Sequence, residues 1–348
     1  MGGTLARAAL RRSLDRIRHV SPVRPDAARG PVAEVYARCE REFGMLAPPV
    51  ALHSPAPALL AACWMMLRET LLVGGAAGRP AKEAVAAGVS LGNACPYCAG
   101  VHGATLRGLI GGREAVGRLA PITAWARTGG TRGEAAGRGR PFPAGQTAEF
   151  VGVAVTFHYL NRMVNVFLDD TPLPPRVPAA ARGGLMRALG WFMRPAAREG
   201  RAPGTSLDLL PAAPLPADLS WAAGAPGVAG AFARTAQAVE AAGRHSVPEA
   251  VRDLVATRLA AWDGRPAGLG RVWAEDAVSG LPAADRPAGR LALLTALASY
   301  QVGPSAVQTF RAGSPDDATL IELTSWAAFA AARRLGGRMA EGPVDTPV

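Results

Sequence analysis

Apolar residues recur at intervals of three and four positions along most of this 348-residue chain. This spacing places them on one face of an α-helix, which turns once every ~3.6 residues. The segments 60–71 and 150–167 show the pattern most clearly. No segment shows the sustained alternation of β-branched residues that a half-buried strand requires. We therefore predict an all-α fold.

The composition indicates a folded protein with a sizeable core. Apolar residues make up 49% of the chain and charged residues 19%, which is more apolar surface than disordered chains carry. The most apolar stretch, 47–67, contains four prolines, and prolines would break a membrane-spanning helix. We predict an entry loop followed by a buried helix there, and no membrane association. The N terminus lacks the apolar run of a secretory signal, so we expect a cytoplasmic protein.

The net charge of +11 is unevenly distributed. Residues 1–30 hold seven arginines and two aspartates, so they account for +5 of it. We predict a basic flexible tail over residues 1–30. The remaining charge is not clustered as a nucleic-acid-binding face would be, so we expect no nucleic-acid partner.

The two halves of the chain resemble each other. Three short blocks recur in the same order, with an offset that changes only from 169 to 172 residues. They pair 56–62 with 225–231, 83–98 with 253–268, and 119–126 with 291–298. We interpret this as an internal duplication of one helical unit. The predicted copies span 31–182 and 216–342, joined by a linker rich in proline and glycine at 183–215.

A CxxC segment at Cys95 and Cys98 carries the strongest chemical signal. Pro96 fits the first position of a helix, which makes Cys95 the N-cap and Cys98 the third helical residue. Free amides and the helix dipole stabilise anions at such an end, so we expect the pKa of a thiol there to be lowered. Cysteines three residues apart on a helix are within reach of a disulfide.

Two further residues can support thiol chemistry at this helix. His102 lies four residues after Cys98 and therefore on the same face, where it can accept the thiol proton. Glu83 lies twelve residues before Cys95. It can orient or charge-balance His102 if the chain folds back at residues 92–93.

The predicted second copy acts as an internal control. Arg265, Gly268 and Val272 occupy the positions that correspond to the two cysteines and the histidine, while Pro266 corresponds to Pro96. We expect the proline and the helical frame to persist there without the chemistry. The fold would then not require the thiols, and the second copy would be inert.

The spacing of Glu83, Cys95, Cys98 and His102 resembles that of the alkylhydroperoxidase D-like family, which includes carboxymuconolactone decarboxylases. The resemblance covers about residues 40–170 and continues more weakly over 225–340. It implies an all-α helical bundle, here duplicated with a degenerate second copy, and a homo-oligomer. Tyr97 stands where some members have a second histidine, which shortens the proton relay. The decarboxylase branch lacks the CxxC, so the resemblance favours the peroxidase branch.

The resemblance also implies a role for each residue. Cys98 would be the thiol that attacks an organic hydroperoxide, and Cys95 the thiol that resolves the oxidised product to a disulfide. His102 and Glu83 would relay the proton. The implied cycle needs no bound cofactor or metal, but it needs an external dithiol reductant, either a lipoyl group or a thioredoxin-like protein.

Other interpretations remain open at this point. Cys95, Cys98 and His102 could bind zinc, although no second CxxC or HxxxH supplies a fourth ligand. The chain could also be a non-enzymatic helical module for binding or assembly that descends from the same family. The remaining cysteines, Cys39 and Cys63, lie on apolar helical faces and are predicted to be core residues.

Overall fold

The computed structural model describes residues 12–111, 116–131, 139–174 and 176–341. These residues form helices joined by turns and loops, with no strand among them, which confirms the all-α prediction. We number the α-helices of the described residues in chain order. Their bounds are α1 Gly30–Glu42, α2 Pro48–Ala51, α3 Pro57–Leu67, α4 Arg79–Gly92, α5 Pro96–Ile110, α6 Ala120–Thr128, α7 Thr147–Phe167, α8 Ala179–Arg198, α9 Pro226–Ser246, α10 Glu249–Ala261, α11 Val272–Val278, α12 Arg286–Ala298, α13 Pro304–Arg311 and α14 Asp317–Glu341.

Proline sets the start of many of these helices, including α3, α4 and α5. A proline in the first turn loses no helical hydrogen bond, and its fixed backbone angle suits the helix. The predicted entry loop of the apolar stretch contains the short helix α2, and α3 follows as a buried helix. Among the described helices, none combines the length and the apolar content needed to cross a bilayer.

Helix α7 is the longest helix of the site-bearing half and is almost completely buried. All but two of its 21 residues are buried, and it packs against α4 and α14. One hydrophobic core runs through both predicted copies. Tyr159 of α7 meets Phe329 of α14 edge to face at 6.2 Å, and Phe329 stacks on Phe232 of α9. The two halves therefore stabilise each other through shared aromatic packing.

The expectation of a flexible tail is wrong for the described part of residues 1–30. Leu14 and Val20 are buried, and residues 12–16 form a turn of 3-10 helix. The backbone N–H of Arg18 donates to the carbonyl of Phe167 at 2.8 Å. The Arg18 guanidinium also donates to the carbonyls of Asn165 and Leu168 at the C-terminal end of α7, where the helix dipole favours positive charge. Residues 1–11 lie outside the described residues.

The linker expectation is wrong for residues 183–198, which belong to helix α8. This helix packs against α5. A Cβ atom on Gly108 would lie only 2.5 Å from the carbonyl oxygen of Gly190, so the two backbones approach as closely as glycine permits. Gly190, which the sequence places in a loop, is needed instead for this helix crossing.

Residues 199–206 are also fixed to the core rather than free. The buried carboxylate of Glu69 accepts hydrogen bonds from the Gly204 amide at 2.8 Å and the Ser206 hydroxyl at 2.7 Å. Arg68 pairs with Glu69 at 2.6 Å and with Glu42 at 2.7 Å. A buried carboxylate needs such partners, so this cluster ties the connection to the end of α3.

The predicted second copy does not keep the helical frame of the CxxC segment. Pro266 lies in a loop, and the next helix begins only at Val272. Gly264 and Gly268 adopt φ angles of +88° and +78°, a left-handed conformation that ends regular helix. This part of the second half therefore has neither the thiols nor the helix start.

Candidate thiol site

A tight turn between α4 and α5 places the CxxC segment. Helix α4 ends at Gly92 and α5 begins at Pro96 with Cys95 as its N-cap, as the sequence predicts. The Cys95 amide donates to the Ser90 carbonyl at 2.9 Å. Ala94 adopts a φ of +49°, which costs a non-glycine residue about 1–2 kcal/mol. The turn thus fixes the start of α5 at the expense of local backbone strain.

The two cysteines of the CxxC are both buried thiols with different surroundings. Cys95 is 1% exposed and Cys98 is 4% exposed, and neither forms a disulfide. Cys98 lines a cavity of about 440 Å³, whereas Cys95 does not contribute to the wall of that cavity. A molecule entering the cavity therefore meets Cys98 first.

The cavity wall is largely apolar and comes from several elements. Helix α5 supplies Cys98 and His102, and the helix that was expected to be a linker, α8, supplies Leu189 and Met193. Arg16 from the N-terminal segment also lines it, and its guanidinium donates to the Leu173 carbonyl at 2.7 Å. The other lining residues are Ser13, Phe43, Met45, Ala47, Pro48, Pro49, Val50, Leu67, Tyr97, Val101, Phe157, Leu160, Pro172, Leu173 and Pro174.

The structure brings Glu83 and His102 together as the sequence predicts. Nδ1 of His102 lies 2.7 Å from Oε2 of Glu83. The other oxygen of this fully buried carboxylate pairs with Arg79 at 2.6 Å. Burial acts to raise the pKa of Glu83, but Arg79 and His102 outweigh it and lower the pKa overall. Glu83 is therefore an anion at neutral pH. Phe157 packs edge-on against the imidazole, with ring centroids 4.5 Å apart.

His102 and Cys98 share the cavity but are not hydrogen-bonded to each other in the described structure. Among the described residues, the imidazole is hydrogen-bonded to Glu83 alone. A water molecule or a substrate oxygen in the cavity can bridge the two groups, because catalytic contacts often close only when the substrate is bound.

The expectation that the helix start lowers the pKa of the thiol is wrong for Cys98. Burial raises its pKa well above the ordinary value, and the neighbouring Cys95 raises it further. Desolvation of a thiolate outweighs the dipole at this end of α5. Cys98 is therefore a thiol at neutral pH and needs a base to become a nucleophile.

Asn161 is a polar neighbour of Cys98 that the sequence analysis did not select. Its amide acts in the opposite direction to burial and favours the thiolate. The amide is held in place, since it donates to Ser90 at 3.0 Å and its oxygen accepts from Asn93 at 3.0 Å. Three polar side chains joined on otherwise apolar helical faces are the signal that could have identified this network.

The zinc interpretation requires three ligands that converge on one point. Among the described residues, no group of three His, Cys, Asp or Glu side chains is arranged to hold a metal ion. The remaining cysteines behave as predicted, because Cys39 and Cys63 are buried in the hydrophobic core.

Comparison with known proteins places the chain in a family. No family model matches the chain, and no solved structure matches it significantly. It is similar to the protein named alkyl hydroperoxide reductase Rv2159c of Mycobacterium tuberculosis, with 40% identity over 347 residues. The match covers 94% of this chain and 97% of that protein. On this similarity, with the all-α fold, the chain belongs to the alkylhydroperoxidase D-like family.

Proposed function

We propose that this protein reduces organic hydroperoxides through a dithiol–disulfide cycle of Cys98 and Cys95. The observation that carries the proposal is that Cys98 and the Glu83-bound His102 line one apolar cavity. Cys95 lies behind Cys98 rather than in the cavity wall. The relative in Mycobacterium tuberculosis is named as an alkyl hydroperoxide reductase, which supports the same chemistry here.

In the first step, Cys98 attacks the hydroperoxide. His102 takes the thiol proton, either directly or through a bound oxygen, and Glu83 stabilises the imidazolium. The thiolate sulfur then bonds to the outer peroxide oxygen, and the O–O bond breaks. The leaving alkoxide takes the proton from the imidazolium, so the products are an alcohol and a sulfenic acid on Cys98.

In the second step, Cys95 resolves the sulfenic acid. The sulfur of Cys95 attacks the sulfur of Cys98, and the hydroxyl group leaves as water with the Cys95 proton. Cys95 is the N-cap of α5 and Cys98 lies in the first turn, so a disulfide forms within one helical turn. The protein has then been oxidised by two electrons, and the hydroperoxide has been reduced by two.

An external dithiol must then reduce the disulfide by thiol exchange. The cavity is the route that the structure offers, since Cys98 lines it and Cys95 does not. We favour a slender reductant such as a lipoyl group over direct contact with a thioredoxin-like protein, because both sulfurs are buried.

The cavity also indicates the class of hydroperoxide. Its volume of about 440 Å³ and its apolar wall suit a bulky hydrocarbon group, because burying apolar surface contributes about 25 cal/mol per Å². We expect cumene hydroperoxide to react faster than hydrogen peroxide, which gains nothing from those walls.

The test is hydroperoxide consumption by the reduced protein with dihydrolipoamide present. We expect Cys98→Ser to abolish consumption and Cys95→Ser to slow repeated turnover, because the sulfenic acid of Cys98 must then be reduced by the external dithiol alone. His102→Asn is expected to slow it by ~10²-fold or more, the scale of acid–base catalysis. Cys63→Ala, which removes a core thiol away from the cavity, is the matched control and keeps its activity. Undiminished consumption by Cys98→Ser would overturn the proposal.

The same experiment separates the enzyme from a non-enzymatic binding module. A module would leave cumene hydroperoxide unconsumed in the wild-type protein at any concentration of reductant. Circular dichroism of each variant confirms that a loss of activity is not a loss of helix.

A further inference from the structure

A second cavity, of about 430 Å³, is lined by the turn between α4 and α5. It is separate from the thiol cavity and shares no lining residue with it. Its wall combines the turn at Asn93 and Ala94 with the end of α6, the loop at 262–266 and the end of α12. The two predicted copies of the chain thus both contribute to it.

This cavity contains a buried cation that no carboxylate neutralises in the described part of the chain. Arg162 of α7 lines it and is only 4% exposed. Its guanidinium donates to the carbonyls of Ala296 at 2.9 Å and His158 at 2.7 Å. It also lies over the ring of Trp262, 5.9 Å from the centroid. Nη2 makes no hydrogen bond to a described residue.

The partial negative charges of backbone carbonyls compensate the positive charge of Arg162 only in part. Ala296 lies in the last turn of α12, and a helix C-terminus carries about half of a negative charge. Burial lowers the pKa of Arg162 to about 10, so the side chain remains charged at neutral pH. A buried charge without a counterion is costly, and an anion in the cavity would relieve that cost.

Other groups in the wall of this cavity also favour the binding of an anion. Arg127 lines the cavity and is exposed, and among the described lining residues there is no aspartate or glutamate. His158 lines it as well, with Nδ1 at 3.1 Å from the Asn93 amide nitrogen and with Nε2 buried and without a hydrogen-bond partner in the described part of the chain. When Nδ1 accepts from that amide, Nε2 carries a proton and has no acceptor.

The volume of the cavity and its apolar lining residues favour an organic anion. The volume is many times that of one water or chloride ion and falls in the range of small-molecule sites. Trp262, Leu297 and Leu335 give the cavity an apolar side. We propose that this cavity is a binding site for an organic carboxylate, with the carboxylate at Arg162 and Arg127 and the hydrocarbon part against Trp262.

Isothermal titration of the full-length protein with octanoate tests this site. We expect saturable binding of one octanoate, and no comparable binding of octanol, which has the same chain without the charge. Arg127→Gln should weaken binding by about tenfold, the size of one charged hydrogen bond. Arg162→Met should abolish it. Arg127 is exposed, so Arg127→Gln remains informative if Arg162→Met does not fold.

Two controls assign the binding to this cavity. Arg258→Gln removes an exposed arginine that is not in the wall and should change nothing. Leu189→Trp fills the thiol cavity and should also leave octanoate affinity unchanged. Loss of binding in Leu189→Trp, or equal binding of octanol, would overturn the proposal.

A last variant tests whether the chain supplies the anion itself. Glu134 lies outside the described residues. If octanoate binds Glu134→Gln but not the wild-type protein, the proposal is wrong, because the site then belongs to that carboxylate. None of these binding measurements depends on the thiols. Their results are therefore independent of whether the protein reduces hydroperoxides.

Discussion

The imidazole of His102 is hydrogen-bonded to the carboxylate of Glu83 at 2.7 Å, although nineteen residues separate them in sequence. An ionised carboxylate only accepts hydrogen bonds, so Nδ1 of the histidine carries the proton. Nε2 of the neutral ring then holds the lone pair and can act as the base. Arg79 occupies the other carboxylate oxygen and keeps Glu83 ionised for this role.

Replacement of Glu83 by glutamine is expected to destabilise the fold at neutral pH. Removing one member of a buried ion pair typically costs about 3–5 kcal/mol. The pKa of Glu83 is lowered in the folded protein, so its stabilisation is complete above the ordinary glutamate pKa of ~4.3 and is lost as the pH falls through the lowered value. The difference in unfolding free energy between wild type and Glu83→Gln, measured in urea, should therefore be largest near pH 7 and shrink below about pH 4. The account is wrong if that difference grows on acidification.

In the His102→Asn variant, which lacks the proposed base, oxidation of Cys98 is expected to accelerate as the solution becomes alkaline. Burial and Cys95 raise the pKa of Cys98 well above the ordinary thiol value, so the thiolate is scarce at neutral pH. Stopped-flow measurement of the first turnover with cumene hydroperoxide should show a rate that still rises above pH 9. A plateau below pH 8 would show that the thiolate is already formed there.

Asn161→Ala, made in the His102→Asn variant, is expected to move the alkaline rise of that rate to higher pH. The amide of Asn161 favours the thiolate of Cys98, and loss of one such hydrogen bond corresponds to a shift of ~1 pH unit. Asn165→Ala is the matched control, because Asn165 lies one turn further along α7 and bonds to the Asn93 carbonyl at 3.1 Å. Equal pH profiles for the two variants would show that Asn161 does not favour the thiolate of Cys98.

The crossing of α5 and α8 provides a test of the fold. A Cβ atom on Gly190 would collide with the carbonyl oxygen of Ala104, and such overpacking costs about 1–3 kcal/mol. Gly190→Ala should therefore lower the free energy of unfolding. Gly183→Ala lies in the same helix, with Arg187 Nη1 as its nearest neighbour at 3.7 Å. Gly183→Ala should instead raise the free energy of unfolding by about 0.5–1 kcal/mol. A stable Gly190→Ala variant would mean that the two helices do not cross as described.

Local chemistry made the thiol site predictable from the sequence. Pro96 marks the start of α5, and the helical spacing of Cys98 and His102 puts them on one face. Glu83 could be placed because a short turn after Gly92 brings α5 back against α4. Each of these inferences depends on residues that are close in sequence, where helix geometry constrains the answer.

Features that depend on distant contacts could not be read from the sequence. Gly190 of α8 looks like a loop residue until the backbone of α5 is known to lie against it. The N-terminal segment looks like a solvated basic tail until Arg18 is seen at the end of α7. The raised pKa of Cys98 depends on how completely the neighbouring helices exclude water, and spacing does not report that.

The most direct test of the central claim is a thiol count combined with disulfide mapping by mass spectrometry. The fully reduced protein is treated with one equivalent of cumene hydroperoxide without any reductant. The count should fall from four thiols to two, with a disulfide between Cys95 and Cys98 and with Cys39 and Cys63 unmodified. An unchanged count, or a disulfide that involves Cys39 or Cys63, would contradict the account.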